Sequence, residues 1–313
     1  MVEVGLLFAR FLHYAATLIL FGVSVFPIYT YVCRAGYPPS RFERWHQTIV
    51  LAAALCALLS GLLWFVFVVA GMTGTLSGVA DSNALWSVLT DTSFGNVWLV
   101  RLIVTTILLG SIAARATLGT PLPGWLVVMF SAGLLASLAA VGHTQVHDGV
   151  TRVIHASADG LHLLAAGAWL GGLVALFYLL AMSARTALPN LGSVAVDASV
   201  RFSWMGYIAV SAIIGSGLAN AWLLVGSFGN LAATSYGQLL LVKLCLFGGM
   251  LGLAAVNRLW LVPILVRNTK AGRTGGALFR LRANVFAEQV LGLLIILIVS
   301  ALGTRDPGVN AAQ

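Results

Sequence analysis

Charge is the scarcest property of this sequence. Asp, Glu, Lys and Arg make up 8 % of its 313 residues while 60 % are hydrophobic, against about a quarter charged in soluble domains. That deficit excludes a fold solvated by water on all sides. Strict alternation of apolar and polar residues is also missing, which excludes an outer-membrane barrel. Cysteine is rare, and Cys33, Cys56 and Cys245 show no CxxC spacing, so neither a disulfide framework nor a thiolate metal centre is implied. The six methionines are unclustered, which argues against a thioether site. No Walker-type phosphate loop and no CPC-type membrane motif occurs, so no ATP-driven machinery is expected. Nothing in the motif pattern marks an enzyme.

What the chain has instead is long apolar runs. A span of the hydrocarbon core takes about 20 apolar residues, and in lipid the backbone must satisfy its own hydrogen bonds, so such runs are helices. Runs bounded by charge, Gly and Pro fall at 4–32, 46–70, 96–115, 124–141, 155–182, 203–225, 238–262 and 284–302. The sequence therefore predicts an all-α, polytopic membrane bundle of about eight transmembrane helices, a single transmembrane domain over 1–313. The first run has no small-residue cleavage site and is expected to remain as a span. No short-period repeat is present.

The net charge of +8 is a topological signal rather than a nucleic-acid footprint, because the basic residues sit in short loops. Twelve of the 17 basic residues lie on one side: Arg34, Arg41, Arg44, Arg115, Arg185, Arg201, Arg258, Arg267, Lys270, Arg273, Arg280 and Arg282. The opposite links, 71–95 and 226–237, carry Asp81 and Asp91 and no base. The basic side is thus predicted to be cytoplasmic and both termini periplasmic. The link containing Thr73, Gly74, Thr75, Ser77 and Gly78 is the longest external connection and is expected to cap the bundle.

Ionisable groups inside lipid are costly and mark function by default. Five of six histidines fall on the outer half of this topology. His143 and His147 end the fourth run, His155 and His162 lie on the fifth, and His13 sits nine residues into the first. His155, Asp159 and His162 are spaced by four and three and share one helix face. At about 1.5 Å per residue, His162 lies roughly 10 Å deeper than His155. The pattern predicts a funnel, with His143, His147 and His155 at the mouth, Asp159 midway, and His13 with His162 at the bottom. Imidazole with carboxylate fits Cu(II) or Zn, and two histidines also hold Cu(I). Asp159 is expected to ligate or to orient an imidazole. A single buried histidine is more often an interhelical hydrogen-bond partner than a ligand; five on one side favour metal. His46 beside Trp45 is read as an interfacial anchor, and Lys243 as a snorkelling residue. Glu288 is expected to pair with Arg282 or Arg258, or to mark an inner exit for a cation. Gly167, Gly171, Gly172, Gly215, Gly217 and Ala219 are read as sites of close helix approach.

GHTQ at 142–145, ADGLHLLAAGAWLGGL at 158–173, RFS at 201–203, GLANAW at 217–222, TSYGQLLLVKL at 234–244 and AAVNRLWLVP at 254–263 together resemble the CopD family of bacterial copper resistance and homeostasis membrane proteins. The opening RFLHYAATLILFG at 10–22 also fits. The resemblance implies an inner-membrane protein that handles copper ions, working with periplasmic copper carriers of the CopC type and importing copper to the cytoplasm. It singles out His13, His143 and His162 as ligands, with Trp169, Gly171 and Gly172 as packing support; His147, His155 and Asp159 rest on spacing alone. No CopC-like domain is appended, so a carrier would be a separate protein. Two rival functions follow from the same residues: a b-type haem electron-transfer protein with His13 and His162 as axial ligands, and a copper-binding sensor or assembly factor without transport.

Overall fold

The computed structural model describes residues 1–30, 40–118, 123–142, 149–185, 191–225, 227–271 and 275–305, and among them it contains helices and no strands. Eight segments are long and apolar enough to cross a membrane, in the order and close to the positions that the apolar runs predict. The first half is built from α1 (Val2–Thr30), α2 (Ser40–Thr73), α3 (Ser82–Asp91), α4 (Ser93–Leu118) and α5 (Gly124–Ala136). The second half comprises α6 (Gly149–Arg185), α7 (Leu191–Val225), α8 (Phe228–Ala233), α9 (Ser235–Val256), α10 (Val262–Lys270) and α11 (Gly275–Leu302). The short helices α3 and α8 lie in the two links that the sequence reading left without secondary structure. Asp81 and Ser227 cap them by accepting the backbone N–H groups of Asn83 and Asn230, which satisfies amides that a helix start would otherwise leave bare.

Packing follows side-chain size. Helices α1 and α6 cross at the centre, where a Cβ on Gly22 would fall 2.1 Å from the Gly167 carbonyl oxygen and 2.5 Å from Gly171 Cα. A Cβ on Gly171 would fall 2.4 Å from the Leu18 oxygen. Only glycine permits that approach, and in lipid, where apolar contact has no water to escape, close backbone packing is a principal source of helix association. Gly172 is similarly crowded by Phe202 and Tyr29. Gly215 is not: nothing lies near its would-be Cβ, and Gly217 faces His162 rather than a helix backbone. The expected close approach thus holds for the first glycine group and not for the second.

Large apolar residues such as Ile208, Leu218 and Trp222 are exposed, as lipid-facing positions are in a bundle whose solvent is hydrocarbon. Between α9 and α10 the helix widens into a π turn at Asn257–Leu261. Pro263 follows immediately and has no N–H to continue the regular ladder, and the extra residue of a π turn absorbs that break.

Candidate functional site

His155, Asp159 and His162 line one cavity of about 120 Å³, together with Arg10 and Tyr14 of α1, Asn220 of α7, Tyr236 and Lys243 of α9, and the end of α11. The face predicted from their four-and-three spacing is therefore an inward face. His162 Nδ1 lies 3.1 Å from Ser216 Oγ on α7. The Ser216 hydroxyl is itself committed to the Ala212 carbonyl, 2.5 Å away. The serine oxygen thus accepts from Nδ1–H, which fixes the imidazole tautomer and leaves Nε2 as a lone-pair donor. Asn220 donates to Asp159 Oδ1 at 3.1 Å, holding the carboxylate through one oxygen.

Lys243 belongs to this cavity instead of snorkelling to water. The nearby carboxylate of Asp159, within electrostatic reach, supplies the counter-charge that makes an inward ammonium tolerable. His162 and Lys243 also line a second, apolar cavity of about 210 Å³ that extends past Trp169, Phe247 and Met250. Trp169 in turn borders a third, of about 290 Å³, which reaches Asn257, Arg258 and Glu288. Three cavities thus follow one another through the second half, the first and second sharing His162 and Lys243, the second and third sharing Trp169.

His13 is placed elsewhere. Its Nδ1 is 3.1 Å from Ser60 Oγ, whose hydroxyl donates to the Cys56 carbonyl at 2.6 Å. Its Nε2 accepts from the Arg101 guanidinium at 2.7 Å. Arg101 also donates to the Leu134 carbonyl and to Ser137 Oγ and lies 5.1 Å over the Trp98 ring. Trp64 and Trp98 flank the imidazole at 5.7 and 5.3 Å. His13 and His162 therefore do not meet at the bottom of one funnel. Both His13 nitrogens are engaged, Nδ1 with Ser60 and Nε2 with Arg101. Among the described residues no three His, Cys, Asp or Glu side chains form a ready metal cluster. His143 and His147 lie outside the described residues.

Two further expectations are corrected. His46 Nε2 donates to the Val23 carbonyl at 3.0 Å, so it ties α2 to α1, while Trp45 stacks on Tyr178 at 4.2 Å. Glu288 is buried and accepts from Asn257, with Trp169 lining the same cavity. Its expected partners lie over aromatic rings, Arg258 over Trp204 and Arg282 over Phe279. Asn284 bridges Asn257 and the Leu253 carbonyl beside it.

Residues that the sequence reading passed over are Arg10, Arg101, Ser60, Ser216 and Asn220. A signal existed for two of them. Arg10 and Arg101 are charges inside apolar runs, and both are buried.

With this geometry in view, comparison with known proteins is informative. The profile of the family described as Copper resistance protein D-like, N-terminal domain, matches residues 1–153, and that of Copper resistance protein D matches residues 196–302. The chain is 30 % identical to Copper resistance protein D of Pseudomonas syringae pv. tomato over 306 residues, 97 % of each chain. It is 29 % identical to Inner membrane protein YebZ of Escherichia coli K12, covering 95 % of this chain and 97 % of the relative. Copper transport protein CutJ of Bacillus subtilis is 33 % identical over 220 residues, 69 % of this chain and 37 % of that longer protein. No solved structure matches.

Proposed function

Since the chain belongs to the copper resistance protein D family, we propose that it is an inner-membrane copper permease that takes copper at a periplasmic cavity and passes it toward the cytoplasm. The observation that carries this reading is the His162 imidazole, whose Nδ1 proton is held by Ser216 so that Nε2 is offered to a cavity shared with His155 and Asp159. A borderline or soft cation takes such nitrogen donors in preference to Mg or Mn. Copper here is cargo, delivered to that cavity by a separate periplasmic carrier of the CopC type.

From His162 the succession of cavities past Trp169 to Asn257 and Glu288 supplies a route inward with a carboxylate at its inner end. An inside-negative potential favours that direction by about 2.3 kcal/mol per charge per 100 mV, so no nucleotide is required. The test is radiocopper flux into sealed vesicles holding the full chain, with and without an imposed potential. Uptake that rises with an inside-negative potential and disappears in His162→Ala is the expected result. Copper binding without flux would select a sensor or assembly role, and a Soret band with no copper would select haem.

A further inference from the structure

The two halves repeat one another. TSFGNVWLVRL at 92–102 and TSYGQLLLVKL at 234–244 are identical at six of eleven positions, and most of the remaining pairs keep their chemistry: Phe with Tyr, Asn with Gln, Val with Leu, Arg with Lys. Each follows a short external helix, and the backbone repeats with the letters. Thr92 and Thr234 accept the N–H groups of Gly95 and Gly237 at 2.9 and 3.0 Å. A Cβ on Gly95 would strike the carbonyls of Val88 and Leu89 at 2.1 and 2.4 Å; on Gly237, those of Asn230 and Leu231 at 2.3 and 2.5 Å.

The histidines obey the same correspondence. His13 and His162 each bond, at 3.1 Å, a serine of the next spanning helix, Ser60 and Ser216, whose hydroxyl turns back onto its own helix. The glycine after each serine faces the imidazole: a Cβ on Gly61 would lie 3.3 Å from His13 Cε1, and one on Gly217 3.4 Å from His162 Cε1. Three residues before each histidine stand Arg10 and Asp159, and four after each serine stand Trp64 and Asn220. Arg10 lies over Trp64 and Asp159 accepts from Asn220, so even this contact recurs with its chemistry exchanged. Gly22 and Gly171, each nine residues after its histidine, pack on each other, as equivalent positions must where a two-fold axis passes. Four spans per unit insert both units in one orientation, which puts that axis along the membrane normal.

We infer that the chain is a tandem duplication of a four-span unit with two equivalent histidine pockets, and that the residue at the Arg101 and Lys243 position decides which pocket admits a cation. In the first, the Arg101 guanidinium occupies the imidazole lone pair and no carboxylate stands at the position equivalent to Asp159, which Arg10 fills, so a fixed cation already holds the place a metal would take. In the second, Asp159 offsets part of the charge of Lys243 and of Arg10, which reaches the same cavity from α1, and the cavity stays open. Arginine seals because its planar fork reaches His13, Leu134 and Ser137 together, which a lysine ammonium on its single stem does not do.

This rests on the copper reading for its probe and is tested apart from it. Full-length chain in nanodiscs is titrated with cupric ion, counting bound copper per chain and recording imidazole hyperfine coupling. Lys243→Arg is expected to abolish binding at His162, whereas Lys243→Met removes a like charge and should tighten it about tenfold. Arg101→Met is expected to add a copper equivalent that disappears in Arg101→Met/His13→Ala. Lys243→Arg binding as the wild type does would overturn the inference, as would a folded Arg101→Met protein with no His13-dependent equivalent. If Arg101→Met fails to fold, the Lys243 pair decides. If the wild type binds no copper at His162, the copper reading fails, and the comparison of Arg101→Met with and without His13 still decides this one.

Discussion

A single hydroxyl sets the chemistry of His162. With its proton given to Ala212, Ser216 leaves the imidazole one tautomer. Ser216→Ala removes that partner, and outer-shell losses of this kind typically cost 10–100-fold in metal affinity. The expected outcome is a copper dissociation constant raised within that range in a normally inserted protein, whereas Ser60→Ala should leave it unchanged because Ser60 serves the sealed pocket. Asp159→Asn preserves shape and removes the charge that balances Lys243, so copper affinity should fall by at least about tenfold, measured in the same titration. At this scale the sequence was legible where one helix supplies the pattern: His155, Asp159 and His162 read correctly as one face. It was illegible where the outcome depends on which way a different helix is turned. His13 is as deep and as apolar in its surroundings as His162, and nothing in its own run tells that Arg101, 88 residues away, points at it. Lys243 failed for the same reason, since its inward turn is set by a carboxylate on another helix.

Element by element, the spans were legible because the membrane imposes length and hydrophobicity on each separately. Helices α3 and α8 were not, because they are short and stabilised by caps whose acceptors, Asp81 and Ser227, look like ordinary loop residues. The α1 and α6 crossing was half legible: glycine content marked Gly167, Gly171 and Gly172, and also Gly215, which meets nothing. Substitution separates the two kinds. Gly171→Ala places its Cβ against the Leu18 carbonyl and should destabilise by about 1–3 kcal/mol as overpacking does. Gly215→Ala removes a flexible residue at an open helical position and should be neutral or stabilising by up to about 1 kcal/mol. Unfolding of both variants in mild detergent by a graded denaturant measures the difference; equal behaviour would show that the crossing is not a tight contact.

For the molecule as a whole, orientation rests on loop charge. A reporter inserted within 269–283 should be active only as a cytoplasmic reporter, because that link carries the densest basic charge; a periplasmic signal there would invert the bundle and place the cavity lined by His155 on the wrong side. The cavities past His162, Trp169 and Glu288 are all lined by one chain, by its second half and, in the first of them, also by Arg10 and Tyr14 of α1. A conduit on a subunit boundary would instead need residues from two copies, and one defective copy would spoil its neighbour. In cells producing wild-type and His162→Ala chains together at known ratios, copper accumulation should therefore decline in straight proportion to the mutant share. A curve bending below that line would mean that poisoned and intact chains depend on each other, whereas proportional loss makes each chain its own gate, so that gene dosage alone sets the copper flux of the membrane.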